Sequence, residues 1–239
     1  MIRSTHLLLA LAATSLLASA GSAAVLVVRS TGPSAAIYPA GKALGDTQTL
    51  NLKPNDMVVL LDSRGTRTLR GPGSFNTSAA SSGGATSALT AVAGQVGTRR
   101  ARVQAVRGGP SGATAGRNVL QADVSRSGSL CVANPADLGL YRGTAASETD
   151  VTLTDPASGK TAVVHFDLGQ SIAGWPAELA VAAGSTIKVK GAGSPATLSV
   201  KMLAPVPAGL EGMAQSFIRN DCTAQLDVLI DIFSGSTEG

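Results

Sequence analysis

The chain has 239 residues, 28 of them glycine, with one Trp, two Tyr and four Phe. A core so poor in aromatics is built from Val, Leu, Ile and Ala, which suits packed sheets. Two cysteines with no histidine near them are too poor for a structural zinc site, which takes four ligands. The formal net charge of +4 hides an uneven layout.

The N-terminus pairs Arg3 with an apolar run over 7–17, followed by Ala18-Ser19-Ala20. This is the order of a cleavable secretory signal, and the run is too short to cross roughly 30 Å of hydrocarbon. The signal is assigned to 1–24, and no Cys follows the small residues to carry a lipid. What remains is expected to be a soluble protein, periplasmic or secreted. In that compartment Cys131 and Cys222 read as a disulfide. Closing a loop of that length corresponds to about 4 to 5 kcal/mol in the chain-entropy picture.

Residues 25–76 read as a β module. The runs 25–30, 37–41, 47–52, 57–61 and 66–70 are short and apolar or alternating. Turn signals separate them at Gly32-Pro33, Lys53-Pro54-Asn55-Asp56 and Asp62-Ser63-Arg64-Gly65. The run from Leu50 to Phe75 reads L-x-L-x-x-x-D-x-V-x-L-L-D-x-x-G-T-R-T-L-R-G-P-G-S-F. It resembles the periplasmic FecR-type domain, with Asn55-Asp56 where that family has Gly-Asp. FecR-type regulators carry a cytoplasmic anti-sigma segment and a membrane helix ahead of this domain, and here a signal stands in that place. The resemblance therefore implies a periplasmic β module used for contact or signalling, without direct control of a sigma factor.

Residues 77–118 change character. Ser78 to Gly84 has linker composition. Leu89, Val92, Val96, Val103 and Val106 then recur at helical spacing, which predicts a helix over 86–104 weakened by Gly94 and Gly97. Residues 119–205 predict a β-sandwich, with strands at 129–132, 138–142, 150–154, 161–167, 170–175, 186–190 and 197–203. Residues 206–233 predict an amphipathic helix, with its stripe running from Leu210 to Phe233 and an allowed break at Asn220-Asp221-Cys222. A bridge between Cys131 and Cys222 would staple that helix onto the sandwich. Residues 234–239 are expected to be a disordered tail. The fold class is thus mainly β, a small module plus a sandwich, with a middle and a C-terminal helix.

No acidic residue lies between Asp62 and Asp123, while that stretch holds Arg64, Arg67, Arg70, Arg99, Arg100, Arg102, Arg107 and Arg117. Beyond the signal, the rest of the chain has ten basic and fifteen acidic residues. Arginine forks suit carboxylate and phosphate. The partner-binding candidates are therefore Arg64, Arg67, Arg70, Arg99, Arg100, Arg102 and Arg107. The partners they fit are an acidic envelope protein, a cell-wall polymer or lipid headgroups at the membrane surface. Nucleic acid fits poorly, because the segment has one aromatic, Phe75. The competing reading is internal charge balance.

No motif carries catalysis, a cofactor or a metal. His165 and Asp167 share a strand face, yet no Gly-x-Ser-x-Gly elbow presents a nucleophile. Ser185 and Lys188 match Ser-x-x-Lys but fall on opposite faces of a strand. Gly159-Lys160-Thr161 lacks the first glycine of a phosphate loop, since position 154 is Thr. The sequence thus points to a non-enzymatic binding or scaffold protein. The alternatives are a self-assembling structural subunit, which would form homo-oligomers, and a hydrolase built on His165.

Overall fold

The computed structural model describes residues 25–78 and 117–234. The expected signal (1–24), most of the linker, the helix expected over 86–104 and the tail beyond 234 lie outside the described residues.

The first unit holds six strands: β1 Val25–Thr31, β2 Ala43–Leu44, β3 Thr49–Leu52, β4 Met57–Asp62, β5 Gly65–Arg70 and β6 Gly73–Asn76. They form a four-stranded sheet in the order β2-β1-β4-β5 and a separate pair, β3-β6. The two pack through Val25, Val27, Tyr38, Leu44, Leu50, Leu52, Val58 and Leu60. Residues 37–41, expected as a strand, form turns instead. Pro39 has no N–H to offer a ladder, and the amides of Ile37 and Tyr38 both donate to the Ser34 carbonyl. Tyr38 is buried, and its hydroxyl accepts from the Asn51 amide at 3.1 Å.

One carboxylate organises the turns of this unit. Asp56 is 3% exposed and accepts from the amides of Ser34, at 2.8 Å, and Lys53, at 2.5 Å. Gly32 lies against it at φ 98°, where a Cβ would stand 2.6 Å from the Asp56 carboxylate. Burial pushes the Asp56 carboxyl up, but the hydrogen bonds from Ser34 and Lys53 outweigh it and hold the group below its ordinary value. A lowered native pKa gives stability that is present above the unfolded value of about 3.9 and is lost as pH falls through the native one. Asp56→Asn is therefore expected to melt below the wild type at pH 6. Thermal melts between pH 6 and pH 2.5 should show the gap narrowing below about pH 4. A gap independent of pH would show that the charge of Asp56 contributes nothing.

The second unit holds β7 Gln121–Asp123, β8 Gly128–Val132, β9 Gly139–Tyr141, β10 Thr149–Thr154, β11 Thr161–Phe166, β12 Ile172–Gly174, β13 Thr186–Lys190 and β14 Ala196–Met202. The expected strands are all present, and β7 is added to them. Five strands pair in the order β11-β10-β13-β14-β8 and three in the order β12-β9-β7. Both sheets contribute to one core, with Leu140 and Ala122 from the smaller sheet and Val151, Leu153, Ile187, Val189, Leu198 and Val200 from the larger.

The C-terminal stripe folds as two helices, α1 Gly209–Arg219 and α2 Thr223–Phe233. The break falls at the allowed place: Asp221 is left-handed at φ 56°. Cys222 is bonded to Cys131 in β8, so the staple onto the sandwich is present. The helices also cover the first sheet. Phe217, Leu226, Leu229 and Phe233 pack with Leu26, Val28, Val59 and Leu61 and with Cys131 and Leu203. Each such side chain taken out of water contributes about 1.5 to 3 kcal/mol, so the helical layer joins the two units through a core of its own. At its end the Phe233 carbonyl approaches the β4–β5 turn so closely that a Cβ on Gly65 would stand 2.8 Å from it. Among the described residues no helix is long and apolar enough to cross a membrane.

Candidate functional site

The β4–β5 hairpin carries three of the candidate arginines. Its register pairs Asp62 with Gly65, leaving Ser63-Arg64 as a two-residue turn. Asp62 closes that turn, accepting from the Arg64 amide at 2.7 Å and from its guanidinium at 2.9 Å. Arg67 pairs with Leu60 and lies on the β3–β6 side, half-buried, where its guanidinium donates to the Thr77 carbonyl. Burial pushes the Arg67 guanidinium down from its ordinary value, against the pull of Asp62. Arg70 is three residues on, so it leaves the strand on the opposite face, exposed. The hairpin therefore does not gather Arg64, Arg67 and Arg70 into one patch.

An open cleft of about 220 Å³ lies beside the turn, lined by Asp46, Asp62, Arg64 and Thr77 among others. Its two carboxylates suit it poorly to an anion. Nearby, burial pushes the Glu211 carboxyl up, and Asp62 and Asp46 add to the effect.

The far end of the acid-free stretch closes in the same way as the near end. Arg117 pairs with Asp123 at 3.3 Å and stands over the Tyr141 ring at 4.9 Å. The two carboxylates that bound the stretch thus neutralise its first and last arginines. Arg99, Arg100, Arg102 and Arg107 lie outside the described residues.

Other cations are structural. Asp227 on α2 pairs with Arg29 on β1 and with Arg126, which approaches at 3.2 Å from the loop before β8. This clamp ties the first sheet, the helices and the sandwich together. Arg142, next to β9, is 3% exposed and donates to three carbonyls. Gln225 is also buried, and its side-chain amide bonds the backbone of Cys131 and Val119. Sequence reasoning missed Arg142, Gln225 and Asp227. The only local signal was the position of Gln225, one helical turn after Cys222.

His165 does share a face with Asp167, its Nε2 lying 3.4 Å from that carboxylate. Its Nδ1 meets Asp150 on the neighbouring strand at 2.7 Å. The Asp150 hydrogen bond raises the imidazole above its ordinary value, and each ring nitrogen faces a carboxylate. The Ser185 hydroxyl is bonded to the Ala182 carbonyl, and residues 155–160 form the hairpin turn before β11. Trp175 donates to the Leu179 carbonyl, as a corner residue does. No group of three or more His, Cys, Asp or Glu is placed to hold a metal among the described residues.

No family model, no curated protein and no solved structure matches the chain.

Proposed function

We propose that this chain is a non-enzymatic binding or scaffold module exported to the cell envelope, and that it docks an anionic partner through the central arginines. The observation that supports this reading is how the positive charge is spent. Arg64 and Arg117 are answered by Asp62 and Asp123, and Arg67 turns inward to Thr77. Internal balance thus accounts for the ends of the acid-free stretch. Arg99, Arg100, Arg102 and Arg107 lie between those ends with no carboxylate of their own stretch to meet them. Four arginine forks within nine positions suit a carboxylated or phosphorylated partner. The signal-like N-terminus and the FecR-like run support an envelope setting for such contacts.

The test is a cross-linked pull-down from intact envelopes, with wild type beside Arg99→Ala/Arg100→Ala/Arg102→Ala. A protein or polymer captured by the wild type and lost from the variant is the expected result. Identical captures would assign these arginines to internal balance. A parallel titration in salt should weaken the wild-type capture steeply, since ion contacts at an exposed site are screened within about 8 Å at physiological ionic strength.

A further inference from the structure

We infer that β11 is a self-association edge, across which two copies of this chain join their five-stranded sheets into one. This concerns a face distinct from the arginine segment and stands or falls without it.

β11 is the last strand of its sheet, paired on one side only, with β10. The Asp155 amide donates to the Lys160 carbonyl at the hairpin, which fixes the alternation along the strand. Ala162, Val164 and Phe166 then spend their backbone groups on β10, opposite Leu153, Val151 and Thr149. The N–H and C=O groups of Thr161, Val163 and His165 point out from the edge, and no backbone partner meets them among the described residues. Exposed edges are normally guarded by Lys, Pro, a bulge or a cover. β11 reads Thr-Ala-Val-Val-His-Phe and pairs with β10 without a bulge. At its centre Val163 is 61% exposed. The opposite edge of the same sheet is guarded: the side-chain amide of Gln225 occupies the free backbone groups of Cys131 in β8.

The strand is complementary to itself in one register. A two-fold axis normal to the sheet pairs Val163 with Val163 of the partner subunit, and Thr161 with the partner's His165. All three outward-facing residues then meet outward-facing residues. Two bonds per pair over three pairs give about six backbone hydrogen bonds. The axis keeps the faces aligned, so Val163 covers its own copy and Ala162 meets the partner's Val164 on the core side. Lys188 and Lys190, the lysines of β13 on the outer face, lie two strands in from the edge. Across the seam they stand about 24 Å from their copies at about 4.8 Å per strand, beyond the screening length. Strand addition alone buries less than the roughly 1,200 Å² of a standard interface, so the dimer should be populated only from about tens of micromolar upward.

Sedimentation velocity on the purified protein, from about 1 µM to about 500 µM, tests this. The expected result is a mass rising toward twice the monomer, with Val163→Lys at least about tenfold weaker and Val163→Thr close to wild type. Val163 is exposed, so the lysine variant keeps its fold, checked by an unchanged melt. Amide exchange adds the register. With rising concentration, Thr161, Val163 and His165 should gain protection, while Ala162 and Val164, already bonded to β10, should not. A wild type that stays monomeric, association undiminished in Val163→Lys, or protection elsewhere would each overturn the inference. The Arg99→Ala/Arg100→Ala/Arg102→Ala chain should associate as wild type, which separates this result from the docking one.

Discussion

Arg142→Ala is expected to lower the stability of the protein by about 3 to 5 kcal/mol, with no change in the denaturant slope. The guanidinium is almost wholly out of water, and its three hydrogen bonds go to backbone carbonyls rather than to a carboxylate. Nε donates to the Gln170 carbonyl, Nη1 to Ser147 and Nη2 to Asp167, each at 2.7 Å. Its plane stands 5.1 Å from the Phe166 ring centre. Gln170 and Asp167 belong to the connection after β11, and Ser147 to the connection into β10. One side chain therefore holds two loops that have no core of their own. Charge-assisted hydrogen bonds contribute about 1.5 to 3 kcal/mol each in favourable cases, and removing the donor releases three carbonyls at once. The sum is capped because loosened loops recover water. Arg142→Lys keeps the charge but reaches one carbonyl where the fork reaches three, so it should still cost about 2 kcal/mol or more. Urea unfolding of the three chains decides the matter. A loss below about 1 kcal/mol for alanine would mean that the loops are held by something else.

That side chain also marks what was legible in the sequence. The alternation of Thr186 to Lys190 predicted β13 to the residue, because period-two burial is a local pattern. The helical stripe and its break at Asn220-Asp221-Cys222 were legible for the same reason, and the disulfide was legible from the even count of cysteines and an expected oxidising compartment. Strands β6 and β7 were not. They are four and three residues long, too short to show a period, and they exist because a partner strand stands beside them. Residues 37–41 were misread because Ile37 and Tyr38 have strand-forming side chains, while the Ser34 carbonyl gathers their amides into a turn. The candidate site divides along the same line. The acid-free stretch could be counted directly. That Asp62 and Asp123 close its two ends could not be, since those pairs depend on a hairpin turn and on the fold around β7. Arg142 and Gln225 serve as backbone partners for residues 28 and 106 positions away at the longest, and the one local hint is that Gln225 follows Cys222 by a helical turn.

Opening the Cys131–Cys222 bridge should produce the other large loss. Cys131→Ser/Cys222→Ser is expected to destabilise by about 2 to 5 kcal/mol, chiefly by freeing the unfolded chain from a loop of 91 residues. The bridge does not act alone on β8. One turn along α2, Gln225 accepts from the Cys131 amide at 2.6 Å and donates to the Cys131 and Val119 carbonyls at 2.8 and 2.7 Å. Its side chain imitates an adjacent strand at the one point where the helix meets the sheet edge. Gln225→Ala leaves these buried groups without partners and should cost about 2 to 3 kcal/mol. Gln225→Glu preserves the shape but aims a carboxylate oxygen at two carbonyls, so it should fare no better than alanine. Both devices fix the same residue. Once the bridge is gone, α2 can lift from β8, and the amide has less to lose. The triple variant should therefore fall short of the summed losses by about 1 kcal/mol or more, a coupling that a double-mutant cycle reads directly. Strict additivity would mean that the bridge constrains only the unfolded chain. A shortfall would mean that it also positions the helix in the native state. In that case reduction would release the helical layer from β8 and expose the Cys131 edge that Gln225 now covers.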